Sequence, residues 1–304
     1  MMMKRRIFLK NSAAAATVAG LASTGFTSVL AEPKKHITIL HTNDVHSHIE
    51  PFPPEDPSFA NKGGVARRLT LIQKLRQQNP NTLLLDAGDI FQGTPYFNFY
   101  GGELEFKLMS MMGYDAATVG NHDFDNGVGG LAAQMPNAKF KMIASNYDFS
   151  NTIMDGLTTP HETFDVDGIK IGVFGLGIQL QGLVNPGMSK ETKYLDPIEI
   201  TQDMTRILKQ EEKCDLVICL SHLGYKYEFD KVSDIVLAQK TKNIDLIIGG
   251  HTHTFLPKPT ITTNADGKKV MINQVGWGGI NLGKIDFYFD SSGNTEGEGV
   301  VINV

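Results

Sequence analysis

Cysteine is almost missing from this 304-residue chain: there are two, Cys214 and Cys219. They lie five apart on one apolar run, Cys214-Asp215-Leu216-Val217-Ile218-Cys219-Leu220. An extended separation of five spans roughly 16 Å, far beyond the ~7 Å a disulfide tolerates. A disulfide scaffold is excluded, and the pair reads as reduced core residues. Repeats at solenoid or propeller spacing and low-complexity tracts are also lacking. Positive charge is scarce: the formal net charge is -5. Residues 1–31 hold four basic side chains (Lys4, Arg5, Arg6, Lys10) and no acidic ones, so without them the balance is -9. A chain this acidic offers no field for a nucleic-acid polymer or a membrane surface. An anionic substrate would need its positive charge from elsewhere, and metal ions would supply it.

Long hydrophobic stretches are equally scarce. The one candidate, Ala13 to Leu30, is weakly apolar, interrupted by Thr, Ser and Gly, and lacks stop-transfer charges, so no stable membrane insertion is expected. It follows Arg5-Arg6-Ile7-Phe8-Leu9-Lys10 and ends at Val29-Leu30-Ala31, a small-residue cleavage site. Together these predict an export signal over residues 1–31, of twin-arginine type or a general secretory one that happens to carry two arginines. The expected location is periplasmic or secreted. No cysteine near the cleavage site offers a lipoprotein anchor.

What the chain does have is apolar runs alternating with helical periods, in the composition of an ordinary globular protein, 41% hydrophobic with mean hydropathy -0.14. Strands are expected at Ile37–Leu40, Thr82–Leu85, Asp115–Val119, Lys141–Ala144, Leu216–Leu220, Ile244–Ile248, Val270–Gln274 and Gly283–Asp290. Phe164–Val166 and Ile169–Phe174 flank Asp167-Gly168, a hairpin signal. Helices are expected at Arg67–Gln78, Glu103–Met112 closing at Gly113, Ile198–Lys213 and Phe229–Lys240. No Pro- or Gly-rich linker divides 32–304, which reads as one α/β layered domain with mixed sheets and outer helices.

Five of these strands end in polar clusters: Asp44/His46, Asp89, Asn121/His122/Asp125, His222 and His251/His253. In α/β sheets functional groups gather at strand carboxyl ends, so the five are expected to face one crevice. Asp44 and His46 are two apart, so on an extended segment both point to one side. Nitrogen and oxygen donors without thiolate suit zinc, manganese or iron. A carboxylate shared by two such ions would set them ~3.5–4 Å apart. Such a pair brings a shared water toward ionisation at neutral pH, giving a metal-bridged hydroxide to attack an ester.

The ordered motifs T-N-D-x-H, G-D, G-N-H-D-F-D, S-H-x-G and G-G-H-T-H-T resemble those of the calcineurin-like metallophosphoesterases. Within them the chain looks like the catalytic domain of the secreted 5′-nucleotidase/UDP-sugar hydrolase group, over roughly residues 36–290. The resemblance implies a four-layer α-β-β-α sandwich of two mixed sheets. It implies that Asp44, His46 and His253 ligate one metal and Asn121, His222 and His251 a second, with Asp89 bridging. His122, oriented by Asp125, would be catalytic, and Asn121 and His122 would also touch the substrate. The implied substrate is a small phosphate ester, a nucleotide in the first instance. Two-domain relatives carry a C-terminal nucleotide-binding domain, which the domain reading 32–304 lacks. This leaves open a separately encoded chain that completes the site. A thiosulfohydrolase-like sulfur-oxidation enzyme, sharing the motif set, is the other alternative.

Among the remaining residues, His36, His161 and His48 read as solvated or satisfied within the fold, and His41 is balanced between that and supporting a ligand. Asp86 reads as a strand-end cap and Asp123 as non-catalytic. Arg67 belongs to a helix entry rather than a phosphate loop. Phe91, Tyr96, Phe97, Phe99 and Tyr100 read as loop core.

Overall fold

The computed structural model describes residues 34–293 and 295–304; the expected export signal at 1–31 lies outside them. Its strands are β1 (Lys35–Thr42), β2 (Thr82–Asp86), β3 (Ala116–Thr118), β4 (Lys141–Ile143), β5 (Tyr147–Asp148), β6 (His161–Val166) and β7 (Ile169–Leu176). They continue with β8 (Lys193–Tyr194), β9 (Leu216–Ser221), β10 (Leu246–Gly249), β11 (Thr260–Thr263), β12 (Lys269–Asn273), β13 (Asn281–Phe289) and β14 (Thr295–Asn303). The α-helices are α1 (Val65–Gln78), α2 (Pro95–Tyr100), α3 (Glu103–Met112), α4 (Gly127–Gln134), α5 (Pro186–Ser189), α6 (Pro197–Arg206) and α7 (Asp234–Lys240).

Two six-stranded mixed sheets result, ordered β14-β13-β1-β2-β3-β4 and β11-β12-β10-β9-β7-β6. In each, four parallel strands form one side or the centre, while the antiparallel partners β13 and β14, or β6 and β11, lie at the margins. Alternation along the strands assigns the layers. Ile37 and Ile39 join Leu216, Ile218, Leu246 and Ile248 in a core between the sheets. Leu40 faces the other way, into a core with α1, α3 and α4. Val217, Cys219 and Ile247 likewise pack against α6 and α7. Burial on both faces is why these strands are continuously apolar. The order helix, sheet, sheet, helix is the expected four-layer sandwich, and Lys35–Val304 form one compact unit. Both cysteines are buried and free in the layer of α6 and α7.

Several boundaries differ from expectation for local reasons. The helix expected from Phe229 begins at Asp234, because the Ser233 side chain accepts from the Val236 N–H and caps it. The helix expected to Lys213 leaves α geometry after Arg206 for one wide π turn, Ile207–Glu211. The Asp167-Gly168 hairpin forms as expected, with both residues at positive φ.

Candidate metal centre

Asp44 and His46 leave β1 on a turn, not on extended chain as expected: both have φ of 49°. Asp89, His251 and His253 share that left-handed backbone. Strain of this kind clusters where the surrounding structure over-determines a functional geometry. Here backbone bonds hold it: the Asp44 N–H donates to Gly88 O and the His46 N–H to Asp89 O, while the His251 N–H reaches the Asp44 carboxylate at 2.9 Å.

Two groups of donors result. Asp44, His46 and His253 converge in one, and Asp89, His222 and His251 in the other. In the first, His46 Nε2 lies 3.0 Å from His253 Nε2, and His253 Nε2 is 3.4 Å from Asp44 Oδ1. In the second, His222 Nε2 lies 3.0 Å from Asp89 Oδ2, and Asn121 Oδ1 is 2.8 Å from His251 Nδ1. Asp89 Oδ2 is also 3.8 Å from His46 Nε2, so this carboxylate adjoins both groups. The structure thus brings together all seven residues expected to bind metal.

The donor chemistry fits cations. His222 Nδ1–H donates to Ala87 O at 2.7 Å, and His46 Nδ1–H points to Phe91 O at 3.3 Å. Each bond leaves the Nε2 lone pair facing the cluster. His222 Nε2 is fully buried and makes no well-formed hydrogen bond despite its nearness to Asp89. Lone pairs of nitrogen and carboxylate oxygen facing one another at 3.0 Å call for a positive ion between them. Electrostatics agree. Burial lowers the proton affinity of His222, but Asp89 and Asp44 outweigh it and push the imidazole up to about 10. Burial and then the neighbouring His222 push His251 down to about 4. Burial also lowers His46.

His122 stands beside this pair of groups, its ring 5.2 Å from His46, half-exposed, with Nδ1 2.9 Å from Asp125 Oδ2. That hydrogen bond raises its proton affinity, and Asp89 adds to the effect. His122, His46, His48, His253, Gln92 and Trp277 line a cavity of about 310 Å³.

Three supporting residues escaped the sequence reading. Asp123, set aside as non-catalytic, accepts backbone N–H bonds from Asp89, Ile90, Phe91 and Gly120. Asn43, inside the first motif, ties Asp44 to Gly276. Gln274 binds Gly250 O and the Thr254 N–H, bracing the loop of His251 and His253. Motif membership was the available signal for the first two; for Gln274 there was none. Asp86 caps its strand as expected, accepting from the Gly88 N–H. His41 is buried, its Nε2 3.0 Å from Asn273 Nδ2. Arg67 binds Asn61 O. Phe91 and Phe97 are core, but Phe99 is 84% exposed and Tyr100 half so, because they sit on the outer face of α2.

Two adjoining nitrogen–oxygen donor groups at the strand ends of a two-sheet sandwich are two candidate metal sites of the kind found in metal-dependent hydrolases. Residues 37–255 match the model of the calcineurin-like phosphoesterase family, and the chain belongs to that family. It is 36% identical over 281 residues to the 5′-nucleotidase of Rattus norvegicus, an alignment covering 85% of this chain and 47% of that one. It is 34% identical to the trifunctional nucleotide phosphoesterase protein YfkN of Bacillus subtilis, over 84% of this chain and 18% of that one. Among solved structures it is similar to a 5′-nucleotidase precursor from Thermus thermophilus, with a TM-score of 0.79 and 33% identity, covering 88% of this chain and 55% of that one. The chain thus spans about half the length of the rat relative, and less of the Bacillus one.

Proposed function

We propose that this protein hydrolyses small phosphate esters, nucleotides first among them, at a centre of two divalent cations. The observation that carries the reading is the position of Asp89, which belongs to one donor group and lies 3.8 Å from His46 of the other. Asp44, His46 and His253 would hold one cation and Asn121, His222 and His251 the other, with Asp89 placed to serve both. Zinc, manganese and iron all accept such ligands. A cation pair there would lower the pKa of water and offset the charge on the phosphoryl oxygens.

The chain's own residues do the rest. Asn121 and His122 meet the phosphate. Asp125 accepts from His122 Nδ1, which fixes the tautomer and leaves Nε2 to carry a proton to the departing oxygen. Asp125 also holds the imidazolium that this role requires. The phosphoesterase names of the relatives described above support this reading over the thiosulfohydrolase alternative. We place the activity outside the cytoplasm on the strength of the Arg5-Arg6-Ile7-Phe8-Leu9-Lys10 segment. Twin-arginine export would suit a protein that acquires metal before crossing, and N-terminal sequencing of the exported protein checks the cleavage.

Phosphate release from AMP and nitrophenyl phosphate, and cleavage of a UDP-sugar to UMP and sugar phosphate, with added Mn²⁺ or Zn²⁺, test the function. Turnover is expected, and none on any ester by folded, metal-loaded protein overturns it. His122→Ala should cost 10²- to 10⁴-fold on AMP and much less on nitrophenyl phosphate, whose leaving group departs without a proton. Equal losses would remove His122 from the acid role. If a separately encoded nucleotide-binding chain is needed, nitrophenyl phosphate is cleaved while AMP is not.

A further inference from the structure

Trp277 is the one tryptophan of the chain, and it borders the same cavity as His46, His122 and His253. Its position is fixed from both sides. Gly276 O accepts from Asn43 Nδ2 at 2.6 Å, and the Gly278 N–H donates to Asp44 O at 2.8 Å. The indole is therefore indexed to the loop that carries a proposed metal ligand. Gly276 and Gly278 have φ of 84° and 64°, and a Cβ on either would run into Phe255 or Phe52. Glycine on both sides is what lets neighbouring rings close around the indole. Phe52 and Phe59 pack nearly perpendicular to it at 5.5 and 6.0 Å, and His253 lies parallel at 5.7 Å. Aromatic clusters are ordinary in a core. This one is at the surface: Trp277 and Phe59 are half-buried and Phe255 is 44% exposed. It stands one ring away from the donor groups.

We propose that Trp277, backed by Phe52 and Phe59, is the platform for the flat aromatic part of the leaving group, the base of a nucleotide whose phosphate lies at Asn121 and His122. The inference rests on the phosphoesterase reading above. It adds that a base-recognition element is built into this domain. Every base has a π-face, so such a platform tolerates different bases while favouring aromatic over aliphatic esters.

A single tryptophan makes the test direct. AMP and UMP, titrated into the full chain with and without Mn²⁺, should quench the Trp277 fluorescence, and glycerol phosphate should not. The wild-type ratio of kcat/KM for AMP over glycerol phosphate should fall about ten-fold in Trp277→Leu and be largely kept in Trp277→Phe. Fluorescence indifferent to both nucleotides, or equal losses on both esters in Trp277→Leu, overturns the platform. If wild-type protein cleaves neither ester, the phosphoesterase reading is what fails, and the quenching still decides the platform. The titration needs no variant, so a misfolded Trp277→Leu protein leaves the proposal open to refutation.

Discussion

At position 123 a buried carboxylate meets four backbone N–H groups, two at each oxygen. Oδ1 accepts from Ile90 and Phe91 at 3.0 and 3.1 Å, Oδ2 from Asp89 and Gly120 at 3.1 and 2.8 Å. These bonds lock the loop after β2 to the loop after β3, and so set Asp89 against Asn121. Burial, with Asp89 adding to it, pushes Asp123 up to about 7, so its charge costs the protein something that the four donors offset. Asp123→Asn is nearly isosteric, yet either orientation of its amide turns an NH₂ toward two N–H groups. The expected cost is about 2–3 kcal/mol. Displacing Asp89 should also weaken metal binding, roughly 10- to 100-fold by comparison with other supporting residues. Chelator competition measures it, and unchanged metal affinity in a folded variant would remove Asp123 from the positioning role. The sequence offered the right run here, Gly120-Asn121-His122-Asp123-Phe124-Asp125, and the wrong emphasis. Spacing separates a side chain that faces solvent from one that faces backbone donors only once the turn is known, and the turn is a 3₁₀ segment, His122–Phe124.

Among elements, what was legible follows from burial. Strands covered on both faces read as unbroken apolar runs, and α3 announces its end through Gly113, left-handed at φ 75°. β11 and β14 were missed because each is an edge strand with an exposed face, and β14 begins Thr-Glu-Gly-Glu-Gly. α4 was missed because three glycines dilute its helical period. The paired strands β1 and β13 show what a pattern of apolar runs overlooks. Thr38 stands opposite Asp286 in register. The Asp286 carboxylate takes hydrogen bonds from Lys284, from Thr38 at 2.6 Å and from His36 at 2.8 Å. Burial alone would raise this carboxyl; the three donors outweigh it and hold it below the usual range. A carboxyl depressed in the folded state stabilises above its unfolded value, near 3.9, and that contribution is lost as pH falls through the folded value. Acid unfolding should therefore steepen from about pH 4 downward in the wild type. Asp286→Asn should be less stable at pH 7 by about 2 kcal/mol and should show a shallower decline below pH 4. Parallel urea-denaturation curves for the two proteins across pH 2–7 would refute the linkage.

Across the whole molecule, each donor group takes residues from both sheets. Asp44 and His46 follow β1 and Asp89 follows β2 in one sheet, while His222 follows β9 and His251 and His253 follow β10 in the other. The cations assigned to these groups would clasp two layers otherwise joined by an apolar core, and they would bind only where the layers are already stacked. Ligand that binds the folded state alone stabilises it by about 2.7 kcal/mol at a hundred-fold excess over its dissociation constant. For a domain of this size each kcal/mol moves Tm by roughly 2–4 °C. EDTA should accordingly lower Tm by about 5–10 °C, and Mn²⁺ or Zn²⁺ should restore it, whereas Asp89→Asn should respond far less to either. Calorimetry at constant ionic strength separates this from screening of the acidic surface, since salt alone acts on wild type and variant alike. A Tm indifferent to chelator and metal would mean that the sheets do not share a cation, and the two-metal reading of Asp89 would fail with it.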